Sequence, residues 1–234
     1  MNEETRIVEE YAARDARLPL NDWRTNIYHP RHPLGHLLQE HNHNILVDAL
    51  NHLDVELSDL KILDVGCGYG SWLRYFVDLG ANPANCVGVD LSEHRIGIAK
   101  QRNPSISWYR QNIAQLPFPD NSFDLVLQSV VFSSILDLQM RLSCASEMRR
   151  VTMNTGKILW IDLMRTTSDL LVAFSEPETR GYFPGLSVIY KKYVHPTYFR
   201  RLNGKYAWLA KSIYYFTKYK CESLLVVFEK NLNK

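Results

Sequence analysis

The chain has 234 residues, with 27 Lys+Arg against 25 Asp+Glu and a formal net charge of +2. Apolar residues make up 46% and charged residues 22%, which excludes a disordered chain, a collagen-like chain and a polyanion-coating tail. The length suits one α/β domain with a core that needs no disulfide or metal staple.

The N-terminal stretch Met1-Asn2-Glu3-Glu4-Thr5-Arg6 is acidic and lacks the apolar core of a signal peptide. No run approaches the ~18 apolar residues of a membrane span. Residues 1–60 read as helical segments around a loop broken at Tyr28-His29-Pro30-Arg31-His32-Pro33. Beyond it Leu34, Leu37, Leu38, Ile45, Leu46, Leu50 and Leu53 recur at roughly helical spacing. From Lys61 strands and helices alternate. Strands are predicted at 62–65, 86–90, 106–109, 123–127 and 157–161, and helices at 71–79, 92–102 and 136–151. Two late strands, 186–190 and 223–229, flank a helix predicted around 206–216, with an antiparallel edge expected there. This alternation argues for a parallel sheet covered on both faces.

The sharpest feature is Leu63-Asp64-Val65-Gly66-Cys67-Gly68-Tyr69-Gly70-Ser71-Trp72, between a strand and a helix. Glycines there let the backbone turn tightly and approach a ligand with no Cβ in the way. Asp90 follows at the end of the second strand, where a carboxylate can accept hydrogen bonds from both hydroxyls of a ribose. The nicotinamide fingerprint GxGxxG fails, because its third glycine position is Ser71. An acid at Asp64 suits the sulfonium of S-adenosylmethionine better than a pyrophosphate.

This stretch resembles the class I S-adenosylmethionine-dependent methyltransferases, in the type-11 branch that includes ubiquinone/menaquinone-biosynthesis enzymes. Three further segments match in order: Val87–Ser92, Asn112–Asp124, and Glu147–Val151 followed by Gly156–Leu159. The match covers residues 61–162. Where the family usually has Asp-Ala, this chain has Asn112-Ile113, which keeps a carbonyl acceptor and a backbone N–H for adenine. The resemblance implies a Rossmann-like α/β sheet of order 3-2-1-4-5-7-6, with strand 7 antiparallel and helices on both faces. It implies an N-terminal helical lid at 1–60 on a cofactor-binding domain at 61–234. Gly66, Cys67 and Gly68 would face the methionine part, with Gln128 near the same end, and Asp64 and Trp72 would also belong to the cofactor site. Asp90 would hold the ribose, and Leu91, Asn112 and Ile113 the adenine.

The implied reaction is methyl transfer to a small-molecule acceptor. A segment similar to Phe132-Ser133-Ser134-Ile135-Leu136 occurs in relatives linked to glycan or natural-product assembly. Hence the leading expectation is O-methylation of a sugar precursor or secondary metabolite. Such a transfer needs no catalytic side chain, although an oxygen of high pKa would gain from a general base. His29, His32 and His36 are the histidines in the segments that would wall the acceptor pocket, and each reads equally as a loop or cap residue. His36, Glu40 and His43 have the spacing of metal ligands on one helix face, but a fourth anchor is missing and methyl transfer needs no metal, so none is expected. Cys67, Cys86, Cys144 and Cys221 are scattered without a CxxC pair, which fits a reducing cytoplasmic setting.

The net charge hides a separation. Residues 1–60 carry 5 basic and 11 acidic groups, residues 61–179 carry 11 and 12, and residues 180–234 carry 11 and 2. Between Tyr190 and Lys220 lie ten aromatic and eight basic residues. That interleaving reads as core aromatics with a solvated basic face, but it also suits an anionic or lipid-phosphate-linked acceptor, or RNA. An RNA methyltransferase, a non-catalytic cofactor-binding partner subunit and a nicotinamide oxidoreductase are the alternatives.

Overall fold

The computed structural model describes residues 2–24, 26, 29–166, 168–194 and 223–230. The helix predicted around 206–216, most of the basic-aromatic segment and Cys221 lie outside the described residues.

The chain opens with α1 (Glu3–Arg17) and α2 (Pro33–Leu53). Asn2 caps α1 by accepting the Thr5 N–H at 2.8 Å, with Glu3 and Glu4 in the first turn and Arg14 and Arg17 in the last, as the helix dipole favours. There follow β1 (Ile62–Val65), α3 (Ser71–Asp78), β2 (Cys86–Asp90), α4 (Glu93–Arg102), β3 (Ser107–Arg110) and β4 (Phe123–Ser129). The chain continues through α5 (Leu138–Val151), β5 (Thr152–Leu163), α6 (Glu176–Tyr182), β6 (Ser187–Val194) and β7 (Ser223–Glu229). Ser92 caps α4 and Asp137 caps α5, each through the amide three residues on.

The seven strands form one sheet of order β3-β2-β1-β4-β5-β7-β6, the order expected from the resemblance. β7 runs antiparallel to both β5 and β6 and sits one place in from the edge. All four residues of β1 are buried, as a central parallel strand covered on both faces requires. Alternate strand residues serve two cores. Ile62, Leu125, Leu127 and Leu159 pack with Ile45, Leu46, Ala49 and Leu50 of α2 and with Leu73 and Phe76 of α3. Leu63, Val65, Val126, Ile158 and Trp160 pack on the other face with Ile7 of α1 and with Cys144, Ala145 and Met148 of α5.

β5 starts five residues earlier than the sequence suggests, at Thr152, because Phe123 already pairs with Thr152 before a register shift. α6 is an element the periodicity does not signal. Its start is a capping box in which Ser175 and Glu178 satisfy each other's backbone, with Pro177 in the first turn.

Register fixes the site. Val65 pairs with Val89 and with Gln128, so the residues after β1, β2 and β4 emerge together at the carboxyl end of the sheet. Parallel sheets of this type bind ligands there.

Candidate active site

Residues 66–70 form the turn between β1 and α3. Gly66, Gly68 and Gly70 have φ of 71°, 54° and 73°, in the left-handed region that only glycine adopts freely. Their side-chain requirements differ. A Cβ on Gly70 would lie 2.2 Å from the Trp108 ring, and one on Gly66 would lie 2.3 Å from Val131. A Cβ on Gly68 would meet nothing within 4 Å, because this residue faces an open cleft. Two glycines therefore serve packing, and the third leaves backbone bare towards a ligand.

The amides of Gly66 and Cys67 donate to the Val89 carbonyl at 2.8 and 3.0 Å, tying the turn to β2. Asp90 completes the tie. Its Oδ2 accepts the Gly68 N–H at 2.9 Å and its Oδ1 accepts the Ser92 N–H at 2.8 Å. Each carboxylate oxygen has one further lone pair, and the residue lines the cleft.

That cleft has a volume of about 750 Å³. It is lined by eight of the ten expected cofactor residues: Gly66, Cys67, Gly68, Trp72, Asp90, Leu91, Asn112 and Ile113. Asp64 and Gln128 lie behind its wall. Gln128 is fully buried; its Nε2 donates to the Ile161 carbonyl at 3.1 Å and its Oε1 accepts the Val131 N–H at 3.1 Å. It thus spaces β4 from β5 and fixes the loop after β4. Asp64 is buried with no hydrogen-bond partner for either carboxylate oxygen. Burial, and secondarily the charge of Asp90, push its pKa well above the ordinary 3.8. Burial likewise pushes the Cys67 thiol up.

Asn112 folds its own loop, since its Oδ1 accepts the Ala114 N–H at 2.8 Å, while its Nδ2 donates to Glu4 of α1. The loop is braced from below. Glu147 accepts the Leu116 N–H at 2.7 Å, and Arg150 donates to the carbonyls of Leu116 and Phe118 at 3.0 and 2.7 Å.

Several cleft residues carry no local sequence signal. Tyr11, Arg14 and Asp15 come from α1, Arg74 from α3, and Arg95 and Arg102 from α4. Val130, after β4, holds φ at 57°, an unusual backbone for a β-branched residue. Of the three histidines considered for the acceptor pocket, His29 lines the cleft and His32 and His36 do not. The Nδ1 of His29 accepts the Arg31 N–H at 3.0 Å, so in the neutral ring the proton sits on Nε2. His36, Glu40 and His43 do not converge; His43 instead stacks on Tyr75 with ring centroids 3.5 Å apart. Among the described residues no helix is long and apolar enough to cross a membrane.

Comparison with known proteins agrees with this architecture. A family model described as a methyltransferase domain matches residues 63–160, the span that carries the glycine turn, Asp90 and the Asn112–Asp124 segment. Residues 63–160 thus form a methyltransferase domain, on the fold that S-adenosylmethionine-dependent methyltransferases share. A demethylmenaquinone methyltransferase of Bacillus licheniformis is 29% identical over 72% of this chain and 68% of its own length. A protein of Pyrococcus horikoshii shares the fold, with a TM-score of 0.65 at 15% identity over 94% of this chain and 98% of that one. An S-adenosylmethionine-dependent methyltransferase of Mesorhizobium loti gives 0.58 at 18% identity over 78% and 96%.

The methyltransferase uses S-adenosylmethionine as its cofactor. The residues present fit that group. Gly68 presents bare backbone to the cleft, Asp90 retains acceptor capacity, and the orphaned Asp64 carboxylate lies just beneath. When bound, S-adenosylmethionine supplies a methyl group already activated by a sulfonium.

Proposed function

We propose that this methyltransferase acts on a small organic acceptor whose oxygen ionises readily, such as a phenol or quinol-type secondary metabolite, rather than on an alcohol-like sugar hydroxyl. The observation that carries this reading is the absence of a free proton acceptor among the described residues of the cleft. Asp15 is committed to Arg95, the lone pairs that Asp90 keeps beyond its two backbone amides are those the ribose takes in this reading, and the Nδ1 of His29 is occupied by the Arg31 N–H. An aliphatic hydroxyl needs a general base within hydrogen-bond reach, whereas a phenolic oxygen arrives partly ionised. The name of the Bacillus licheniformis relative, a demethylmenaquinone methyltransferase, supports a quinone-type acceptor over a sugar.

In this reading Asp90 holds the ribose and Leu91, Asn112 and Ile113 hold the adenine. Gly66, Cys67, Gly68 and Trp72 surround the methionine part. Asp64 and Gln128 act from behind the wall, Asp64 through its unpartnered carboxyl group and Gln128 by fixing the loop after β4. The acceptor lies against Val130, Val131 and Leu163, beyond the ends of β4 and β5. Segment 1–60 supplies the lid, with α1 over the cleft. The free, buried thiols of Cys67, Cys86 and Cys144 fit a cytoplasmic setting.

The test is the pH dependence of methyl transfer with two phenolic acceptors of different pKa. The rate should rise with each acceptor's own ionisation, so the two profiles should be displaced from one another. A common profile with one enzyme pKa for both acceptors would point to a protein base and contradict the reading.

A further inference from the structure

The cleft walls hold more positive charge than the cofactor can use. Four guanidinium groups line them, Arg14, Arg74, Arg95 and Arg102, against two carboxylates, Asp15 and Asp90. Arg95 is neutralised by Asp15 through a bidentate pair at 2.6 and 2.9 Å. Arg14, Arg74 and Arg102 make no ion pair among the described residues. Arg74 donates to the Tyr69 carbonyl, the Arg102 guanidinium lies 5.9 Å from the Tyr69 ring, and that of Arg14 lies 4.4 Å over the Tyr11 ring. These aromatic and carbonyl contacts orient the groups without cancelling their charge.

Arg74 is half-buried, and its desolvation together with the neighbouring Arg102 works against its charged form, with the charge of Asp78 offsetting this only in part. A partly buried cation beside an exposed one of like charge is relieved by an anionic ligand that reaches both. S-adenosylmethionine supplies one carboxylate, and its sulfonium and ammonium add positive charge. One carboxylate offsets one guanidinium of three.

We propose that Arg74 and Arg102, with Arg14 alongside, form an oxyanion subsite that binds a phosphate or carboxylate group carried by the methyl acceptor. The inference rests on the small-molecule reading above and narrows it to an anionic acceptor. The planar guanidinium forks suit a bidentate oxyanion, and their place in the cofactor's own cleft makes the anionic group a handle that orients the reacting end of the same molecule.

The experiment uses the full chain and inorganic pyrophosphate as the probe, titrated by calorimetry at constant ionic strength with and without saturating S-adenosylhomocysteine. The wild type should bind pyrophosphate in both states. The double variant Arg74→Gln/Arg102→Gln should bind it at least about thirtyfold more weakly while its S-adenosylhomocysteine affinity changes less than about threefold. Arg74→Lys/Arg102→Lys should recover part of the pyrophosphate affinity, which separates lost charge from lost folding. If the Gln variant instead loses S-adenosylhomocysteine affinity and keeps pyrophosphate, the guanidinium groups serve the cofactor's carboxylate and the proposal fails. It also fails if the wild type binds no pyrophosphate. Pyrophosphate binding that persists while no uncharged or anionic phenol is methylated would leave the subsite standing and overturn the acceptor reading instead.

Discussion

Arg95 and Asp15, 80 residues apart in sequence, meet as a bidentate pair with Nη2–Oδ1 at 2.6 Å and Nε–Oδ2 at 2.9 Å. Arg95 stands on the first turn of the helix after Asp90, and Asp15 stands near the end of α1. The Arg95 guanidinium is stacked over Tyr11 at 4.2 Å and lies 5.1 Å from the ring of Tyr69. The pair therefore clasps the N-terminal helix to the helix that follows Asp90. α1 is held elsewhere too: Tyr11 donates to the Ser134 hydroxyl at 2.8 Å, Arg6 donates to the Ser134 carbonyl at 2.6 Å, Glu3 accepts the Leu136 N–H, and Glu4 accepts from Asn112.

Breaking the clasp should free α1 before it unfolds the domain. In Asp15→Asn, Arg95 is left 5% exposed with its paired carboxylate gone and only the more distant charge of Asp90 facing it, a loss of up to about 3 kcal/mol. Because α1 buries only Ile7 fully, the loss should fall on its docking. Hydrogen exchange of amides in residues 6–17 should accelerate by at least about tenfold, with β1 and β4 protected as before. Equal acceleration throughout the sheet would mean that α1 is integral to the fold.

The same pair gives the helix an acid limit. Burial opposes the charge on Asp15, but the Arg95 guanidinium overcomes this and holds its pKa below the ordinary 3.8. Glu3 is held at about 2, chiefly by Arg6. A depressed carboxylate pKa gives stability that is complete above the unfolded value and is lost as pH falls through the folded one. The docked state of α1 should persist to about pH 4 and weaken below it. Fluorescence of a label on α1 should report this transition, and undocking at pH 6 would contradict the assignment.

Asp162 should act with the opposite sign. It is fully buried at the end of β5, where its carboxylate accepts the amides of Ser133 and Leu163 at 3.2 and 2.8 Å. Burial outweighs these contacts and raises its pKa to about 6. A raised carboxylate pKa gives stability that is complete below the ordinary 3.8 and is lost as pH rises through about 6. The loss is on the order of 3 kcal/mol at neutral pH. Asp162→Asn should flatten this decline in chemical denaturation between pH 4 and 7. A wild-type stability that rises across the interval, unchanged by the substitution, would refute the account.

Gly68 and Gly70 separate ligand access from packing. Gly68→Ala places a methyl group in open cleft at a strain of about 1–2 kcal/mol, so the protein should fold and bind S-adenosylhomocysteine poorly. Gly70→Ala meets the same strain and drives its methyl into the Trp108 ring, so it should lose stability as well. Thermal melts and titrations of the two variants check the contrast. Equal effects of both on stability would show that Gly68 is also a packing residue.

Much of the fold is legible in the sequence because local pattern and buried position coincide in the central strands. Ile62–Val65, Cys86–Asp90 and Ser223–Glu229 are strands with the predicted bounds. Gly66, Gly68 and Asp90 are recognisable because a turn of positive φ and a strand-end carboxylate leave marks within a few residues. Arg14, Arg74, Arg95 and Arg102 leave none, since they meet through helices whose packing is set elsewhere. Gln128 illustrates the converse: its place at the end of β4 is readable, but whether its amide turns to the cleft or to the Ile161 carbonyl depends on the neighbouring strand. The α6 start is readable in principle, through Ser175, Pro177 and Glu178, although its seven residues are too few for a periodic signal.

Titration calorimetry of S-adenosylhomocysteine against the wild type and Asp90→Ala tests the central claim most directly. The account predicts one site per chain in the wild type. It predicts at least about a hundredfold weaker binding in the variant, which loses two charge-assisted hydrogen bonds to the ribose. Unchanged affinity in a folded Asp90→Ala protein would contradict the placement of the cofactor at the glycine turn.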